Sequence, residues 1–271
     1  MGKKIILSGS TGFIGKNLNI FLKKKNLKLL KYKKDKKNFK NTNLSKFSHF
    51  IHVGFDTRKN CKITEQVRIL KEIILLAKEY SITIIFLSTS ALGKSNERKI
   101  LNNNKYQIAK RRCEEILIKE NKKGLKVIIL RIFNLYGPFQ KKGFIVNDLL
   151  SKFLKEKCVY LKNYKNSRDF IFIEDLCRAI YKILILKKQQ FEIFEIGSGK
   201  SYKLIYIAYL IKKLINSKKK IIKLNPKNSY PKTTKALIKK TINKIKWEPR
   251  TSLQSGLCHT IKFYEKNSYY L

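Results

Sequence analysis

Apolar positions along the first half of the chain come in two alternating textures. Lys3 to Ser8 is a short apolar run that stops at a glycine-rich turn, and Phe13 to Lys25 then carries Ile14, Leu18, Phe21 and Leu22 at helical spacing. The same alternation predicts strands over 28–32, 50–53, 82–87 and 126–132, and helices over 64–80 and 106–121. Parallel strands need crossover connections, and helices between successive strands supply them, so the pattern predicts an α/β fold on a doubly wound parallel sheet. Beyond Pro138 the regularity loosens into helices over 146–156, 176–186 and 203–216 and strands over 169–173 and 193–196. A first domain over 1–137 and a smaller C-terminal α/β lobe over 138–271 are expected, with segments of the lobe crossing back to the first sheet. No internal repeat is present in the sequence, and the Lys-rich stretches at 31–40 and 217–223 read as loops or solvated faces.

Composition narrows the function classes. With 43% hydrophobic residues in 271, the chain can bury a sizeable core, which excludes intrinsic disorder. No run reaches the 18 or so uninterrupted apolar residues of a membrane span, so no membrane insertion is expected. Met1 to Lys4 leads straight into a strand-like run and leaves no room for a signal peptide, which predicts a cytoplasmic protein. The 62 Lys and Arg against 18 Asp and Glu give a net charge of +44, which prompts the thought of nucleic acid. Only nine of the 62 are Arg, and the Lys residues are dispersed rather than gathered into a stripe. Non-specific, salt-sensitive attraction to polyanions follows, and a specific nucleic-acid partner does not. Cys61, Cys113, Cys158, Cys177 and Cys258 are scattered without a Cys-x-x-Cys pair, which suggests small buried hydrophobes rather than disulfides or a metal site.

Two motifs carry chemistry. Gly9-Ser10-Thr11-Gly12-Phe13-Ile14-Gly15 joins the first strand to the first helix, where free backbone N–H groups at the positive end of a helix dipole can meet a dinucleotide pyrophosphate. The candidate cofactor contacts there are Gly9, Thr11, Gly12, Phe13, Ile14 and Gly15. Farther on, Tyr106 and Lys110 stand four apart and so share one helix face, preceded by Ser88-Thr89-Ser90 after the fourth strand. In such a pair the ammonium lowers the phenol's pKa and holds a cofactor ribose, a nearby hydroxyl binds the substrate oxygen, and Tyr acts as acid or base.

The order of further segments extends the pattern. His52-Val53-Gly54 lies between the two motifs, and Leu130 to Pro138 ("LRIFNLYGP"), Arg168 to Asp175 ("RDFIFIED"), Phe194 to Gly199 ("FEIGSG") and Trp247-Glu248-Pro249 with Ser252-Leu253 and Gly256-Leu257 follow them in sequence. In this the chain resembles the extended short-chain dehydrogenase/reductase family, the NAD-dependent epimerases and dehydratases of nucleotide sugars, over nearly its full length. The resemblance implies a Rossmann-type domain holding NAD(P) and a smaller lobe that grips a nucleotide-diphosphate sugar, with a homodimer as the expected assembly. It implies Thr89, Tyr106 and Lys110 as catalytic residues and a 4-epimerase or 4-ketoreductase feeding surface-polysaccharide synthesis, with a non-catalytic NAD(P)-sensing or scaffolding member of the same fold as the alternative, against which Tyr106 and Lys110 argue. It also implies Asn134 at the substrate diphosphate and Arg168 on a phosphate, a role that guanidinium geometry suits.

Three departures qualify these expectations. The loop Ser88 to Gly93 is one residue shorter than the family's, so counting from the strand end selects Thr89, counting back from Gly93 selects Ser88, and Ser90 stays open. Ser90-Ala91 stands where 4,6-dehydratases carry Asp-Glu, which disfavours elimination of water. At the end of the second strand Tyr32-Lys33-Lys34 replaces the acidic residue that binds a free ribose 2′-hydroxyl. Lys33 and Lys34 thereby tilt the expectation slightly toward NADP(H) over NAD(H).

Overall fold

The structure, a computed structural model, describes residues 4–32, 42–56, 61–93, 104–186, 191–224 and 232–267. Its first element, β1 (Lys4–Ser8), runs into α1 (Phe13–Lys23), β2 (Lys28–Tyr32), β3 (Phe47–His52), α2 (Ile63–Glu79), β4 (Thr83–Thr89), α3 (Lys105–Asn121) and β5 (Val127–Ile132). There follow β6 (Asn134–Tyr136), α4 (Ile145–Lys155), β7 (Val159–Lys162), β8 (Ser167–Phe172), α5 (Ile173–Leu184) and β9 (Glu192–Ile196). The chain closes with β10 (Ser201–Lys203), α6 (Leu204–Leu214), β11 (Ile221–Leu224), α7 (Lys239–Ile245) and α8 (Leu253–Lys266). Contacts divide it into one unit of residues 1–132 and 180–195 and a second of 133–179 and 196–271.

The first unit is organised by a six-stranded sheet in the order β2-β1-β3-β4-β5-β9. The pairs β1–β2, β1–β3, β3–β4 and β4–β5 are all parallel. Ile6, Phe50, Ile84, Phe86 and Ile129 face α2 and α3, where they meet Leu70, Ile73, Cys113 and Leu117. Ile5, Leu7, Ile51 and Ile85 alternate with them, are just as buried and point the other way. Burial on both faces is what a helix-covered parallel sheet requires, and each such side chain contributes about 1.5–3 kcal/mol. The doubly wound parallel sheet anticipated from the strand–helix alternation is therefore present.

The second unit holds two small sheets. In β10-β8-β6, β8 pairs antiparallel with β10 and parallel with β6, and β11 pairs parallel with β7. Two buried carboxylates tie distant loops to β8 and α5. Asp169 accepts from the Ser198 N–H (2.7 Å) and hydroxyl (2.8 Å), the Gly199 N–H (2.9 Å) and the Ala236 N–H (3.0 Å). Asp175 accepts from the Arg250 N–H (2.9 Å), the Thr251 N–H (3.2 Å) and the Arg178 guanidinium, while its carbonyl takes the Trp247 indole N–H at 3.0 Å. Saturated acceptors of this kind offset the cost of burying the charge.

Candidate active site at the carboxyl edge of the parallel sheet

The glycine-rich turn leaves β1 at its carboxyl end. Gly9 has φ +67°, and a Cβ on it would lie 2.5 Å from the Gly54 backbone; one on Gly15 would lie 2.0 Å from the Gly9 carbonyl oxygen. Both glycines are required by the protein's own close packing. Gly12 differs, because a Cβ there would meet only the Gly9 oxygen at 3.5 Å, an ordinary contact, and Gly12 is exposed in an extended conformation (φ −79°, ψ 177°). It precedes the first turn of α1, which has no side-chain cap and no acidic residue, so the N–H groups of Phe13, Ile14 and Gly15 are offered to an anion. Thr11 is exposed beside them. A cradle that a side chain would fill, at an uncapped helix start, fits a pyrophosphate.

The end of β3 sits beside this turn. The Ser8 hydroxyl accepts from the Gly54 N–H (3.1 Å) and lies 2.8 Å from His52 Nδ1. His52 is buried and stacked on Phe86 (5.7 Å), and burial lowers its pKa to about 3, so it is neutral. Its Nε2 has no hydrogen-bond partner among the described residues.

On α3, Tyr106 and Lys110 share a face as their spacing requires. Lys110 is 3% exposed, its ammonium donates to the Leu87 carbonyl of β4, and it lies 3.7 Å from the Phe55 ring centroid and 4.5 Å from that of Phe86. Burial pulls its pKa down to about 7, with Cys113, Glu114 and Cys61 opposing the shift. The ammonium is 5.9 Å from the Tyr106 ring centroid. The expectation that it lowers the phenol's pKa is corrected here: burial, with a smaller contribution from Cys61, pushes Tyr106 up to about 12, because the ammonium is turned toward Leu87 and the two phenylalanines. At neutral pH the phenol therefore carries its proton.

The three candidate hydroxyls close this edge. Thr89 ends β4, and its Oγ1 accepts from the Ala91 N–H (3.2 Å), capping the short helical turn Ser90–Leu92. The Ser88 hydroxyl is buried with no partner among the described residues, and alternation puts it on the face of β4 shared with Phe86. Ser90 is partly buried. Arg131 of β5 pairs bidentately with Glu114 of α3 (2.7 and 3.2 Å) and donates to the Gly93 carbonyl (3.2 Å), fixing the helix and the loop's far end together. Neither this clamp nor Phe55 was anticipated among the site residues; the "LR" of the β5 segment was the available signal for the former.

Elsewhere the expected contacts have structural partners. In the second unit the Asn134 amide donates to the Asp169 carbonyl (2.9 Å), joining β6 to β8. Arg168 donates to the carbonyls of Ser167 (2.9 Å) and Lys232 (2.6 Å), and burial pulls its pKa below the usual guanidinium range. At the end of β2, Tyr32 meets Phe50 edge-on (5.3 Å) and its hydroxyl reaches Glu72 at 3.5 Å. Lys33 and Lys34 lie outside the described residues.

A glycine cradle at β1, hydroxyls at β4 and a Tyr/Lys pair on α3 all lie at the carboxyl edge of one parallel sheet, the edge at which α/β folds of this kind bind their ligands. The model of the NAD dependent epimerase/dehydratase family matches residues 56–197, and the chain belongs to that family, a family of enzymes. It is 25% identical over 206 residues to the uncharacterized UDP-glucose epimerase YtcB of Bacillus subtilis, covering 73% of this chain and 65% of that one. It is 30% identical over 146 residues to a UDP-glucuronate 4-epimerase of Thermodesulfobacterium geofontis, covering 53% and 45%. The chain thus spans about half to two thirds of the length of these curated relatives. The fold matches a dTDP-glucose 4,6-dehydratase of Bacillus anthracis in complex with NAD, with a TM-score of 0.82, 21% identity and coverage of 99% and 98%. Among the described residues no helix is long and apolar enough to cross a membrane.

Proposed function

We propose that the protein is an NAD(P)-dependent 4-epimerase or 4-ketoreductase of a nucleotide-diphosphate sugar, serving surface-polysaccharide synthesis. The observation that carries the reading is the meeting of the uncapped glycine cradle, the β4 hydroxyls and Tyr106 with Lys110 at one sheet edge. The names of the epimerase relatives and the dehydratase neighbour support the substrate class. The cofactor, when bound, supplies the hydride acceptor or donor. The backbone N–H groups at the start of α1 hold its pyrophosphate, and Lys110 its ribose. As the phenol, Tyr106 gives its proton to the sugar's carbonyl oxygen in the reductive direction and is left as the phenolate; in the oxidative direction that phenolate takes the proton of the hydroxyl and returns to the phenol. A hydroxyl from the Ser88–Ser90 segment hydrogen-bonds the same oxygen; Thr89 is the choice from strand length, and Ser88 is the one with unused capacity. Ser90 and Ala91 bring no carboxylate to the loop, so elimination of water lacks its acid and base there.

Mass spectrometry of small molecules released from the purified protein, followed by incubation with a panel of nucleotide sugars, tests this. Retained oxidised NAD and a C4 epimer indicate the epimerase. Consumption of added NADPH by a 4-keto sugar indicates the reductase. Absence of any NAD(P) binding refutes both.

A further inference from the structure

An ammonium has three N–H donors, and among the described residues that of Lys110 makes one hydrogen bond, to Leu87. The Phe55 ring covers the ammonium at 3.7 Å and Phe86 flanks it at 4.5 Å. A desolvated cation over an aromatic face is a favourable contact. Phe55 also stands edge-on to Tyr106 (5.7 Å, 85°), so a single ring touches both members of the pair. The chain arrives there from β3 through Gly54, which is packed so tightly on Gly9 of the glycine turn that a Cβ on it would lie 2.9 Å from the Gly9 nitrogen. Phe55 therefore lies on the path from the start of α1 to Lys110, which is the path of a dinucleotide whose pyrophosphate sits at α1. Unlike the buried Phe86, Phe55 is partly exposed, three residues past the end of β3.

We propose that Phe55 occupies the position of the cofactor's second ribose and sets cofactor affinity: a ribose hydroxyl reaches Lys110 only when the ring turns off the ammonium. The inference rests on the reading of Lys110 as the ribose-holding residue. A diol offers oxygen acceptors to the donors that Phe55 covers, so the exchange is favourable once a ribose is present. The cation–ring contact is what each binding event must give up. At a desolvated site it is worth up to about 30-fold in an equilibrium, and that is the affinity Phe55 withholds.

Calorimetric titration of the full chain with ADP, ADP-ribose and NAD(P) tests this, because ADP-ribose carries the second ribose and ADP does not. Phe55→Ala is expected to bind ADP-ribose and NAD(P) about 3- to 30-fold more tightly than the parent and ADP equally well. Phe55→Leu, which keeps an apolar side chain in place should the alanine variant fail to fold, is expected to show the same selectivity with a smaller gain, and Phe55→Tyr is expected to restore parental affinity. Unchanged or weaker ADP-ribose binding in folded Phe55→Ala or Phe55→Leu, with NAD(P) still bound by the parent, overturns this proposal alone. Failure of the parent and every variant to bind any of the ligands overturns the functional reading and this proposal with it.

Discussion

Valine at Gly12 and alanine at Gly15 separate a glycine kept for the ligand from one kept for the fold. Gly12 has backbone angles that any residue adopts, and its Cβ would make one ordinary contact at 3.5 Å. Gly12→Val is therefore expected to leave the melting temperature unchanged or slightly raised, since losing glycine's freedom in the unfolded chain is worth about 0.4–1 kcal/mol. Gly15→Ala puts a Cβ 2.0 Å from the Gly9 oxygen and 2.7 Å from Ser10 Cα, both backbone atoms that must shift. Overpacking of that kind costs about 1–3 kcal/mol, or roughly 2–12 °C in a protein of this size. Binding follows a different order. A branched side chain over the first turn of α1 keeps pyrophosphate oxygens from the N–H groups, and losing two hydrogen bonds to a charged ligand costs about 3–6 kcal/mol, or about 10²- to 10⁴-fold in affinity. Differential scanning fluorimetry and calorimetric titration with NAD⁺ and NADP⁺ measure both. The reasoning is refuted if folded Gly12→Val binds cofactor like the parent, or if it melts as low as Gly15→Ala.

Three further outcomes are expected. Burial lowers the folded-state pKa of Lys110 to about 7 against 10.5 unfolded, so between those values the unfolded chain holds the extra proton and stability rises with pH. Lys110→Met is thus expected to weaken NAD(P) binding while gaining thermal stability over the parent, by a margin that widens as pH falls from 10 toward 7 and levels off below; a constant or narrowing margin between pH 10 and 7 in pH-resolved melts contradicts this. Asp169→Asn turns an NH₂ group toward at least one of four donors, and is expected to cost about 2–4 kcal/mol by urea unfolding while NAD(P) affinity is retained. Among Ser88→Ala, Thr89→Ala and Ser90→Ala, the largest fall in kcat with a nucleotide sugar identifies the substrate-binding hydroxyl, and equal values for all three with the parent eliminate the loop from catalysis.

Much of the first unit was legible because its elements are local. Strand Lys28–Tyr32 is found as read, and α1, α2, α3 and β5 agree to within two residues at each end, since apolar periodicity registers directly which face a sheet or helix buries. What escaped is short or set by distant partners. The strands β6, β7, β10 and β11 have three or four residues each, and β7 alternates with exposed Lys and Tyr. The helix α8 carries Gly256 in its first turn, a residue whose reason is spatial: a Cβ there would lie 2.2 Å from the Tyr136 hydroxyl. At the site, the shared helix face of Tyr106 and Lys110 was readable from a four-residue spacing. Phe55 was not, because nothing local tells which way the chain turns after β3. Asp169 and Asp175 were visible as letters of a segment without a role, as their donors come from residues 198, 199 and 236, and from 250 and 251.

The proton carried by Tyr106 is the centre of the account, and Tyr106→Phe removes it while keeping the ring that packs edge-on against Phe55. The measurement is kcat with a nucleotide sugar on the folded, cofactor-loaded variant. General acid–base catalysis by one placed group contributes about 10²- to 10⁴-fold, so kcat is predicted to fall by that factor with cofactor affinity nearly unchanged. Full activity of Tyr106→Phe would contradict the account.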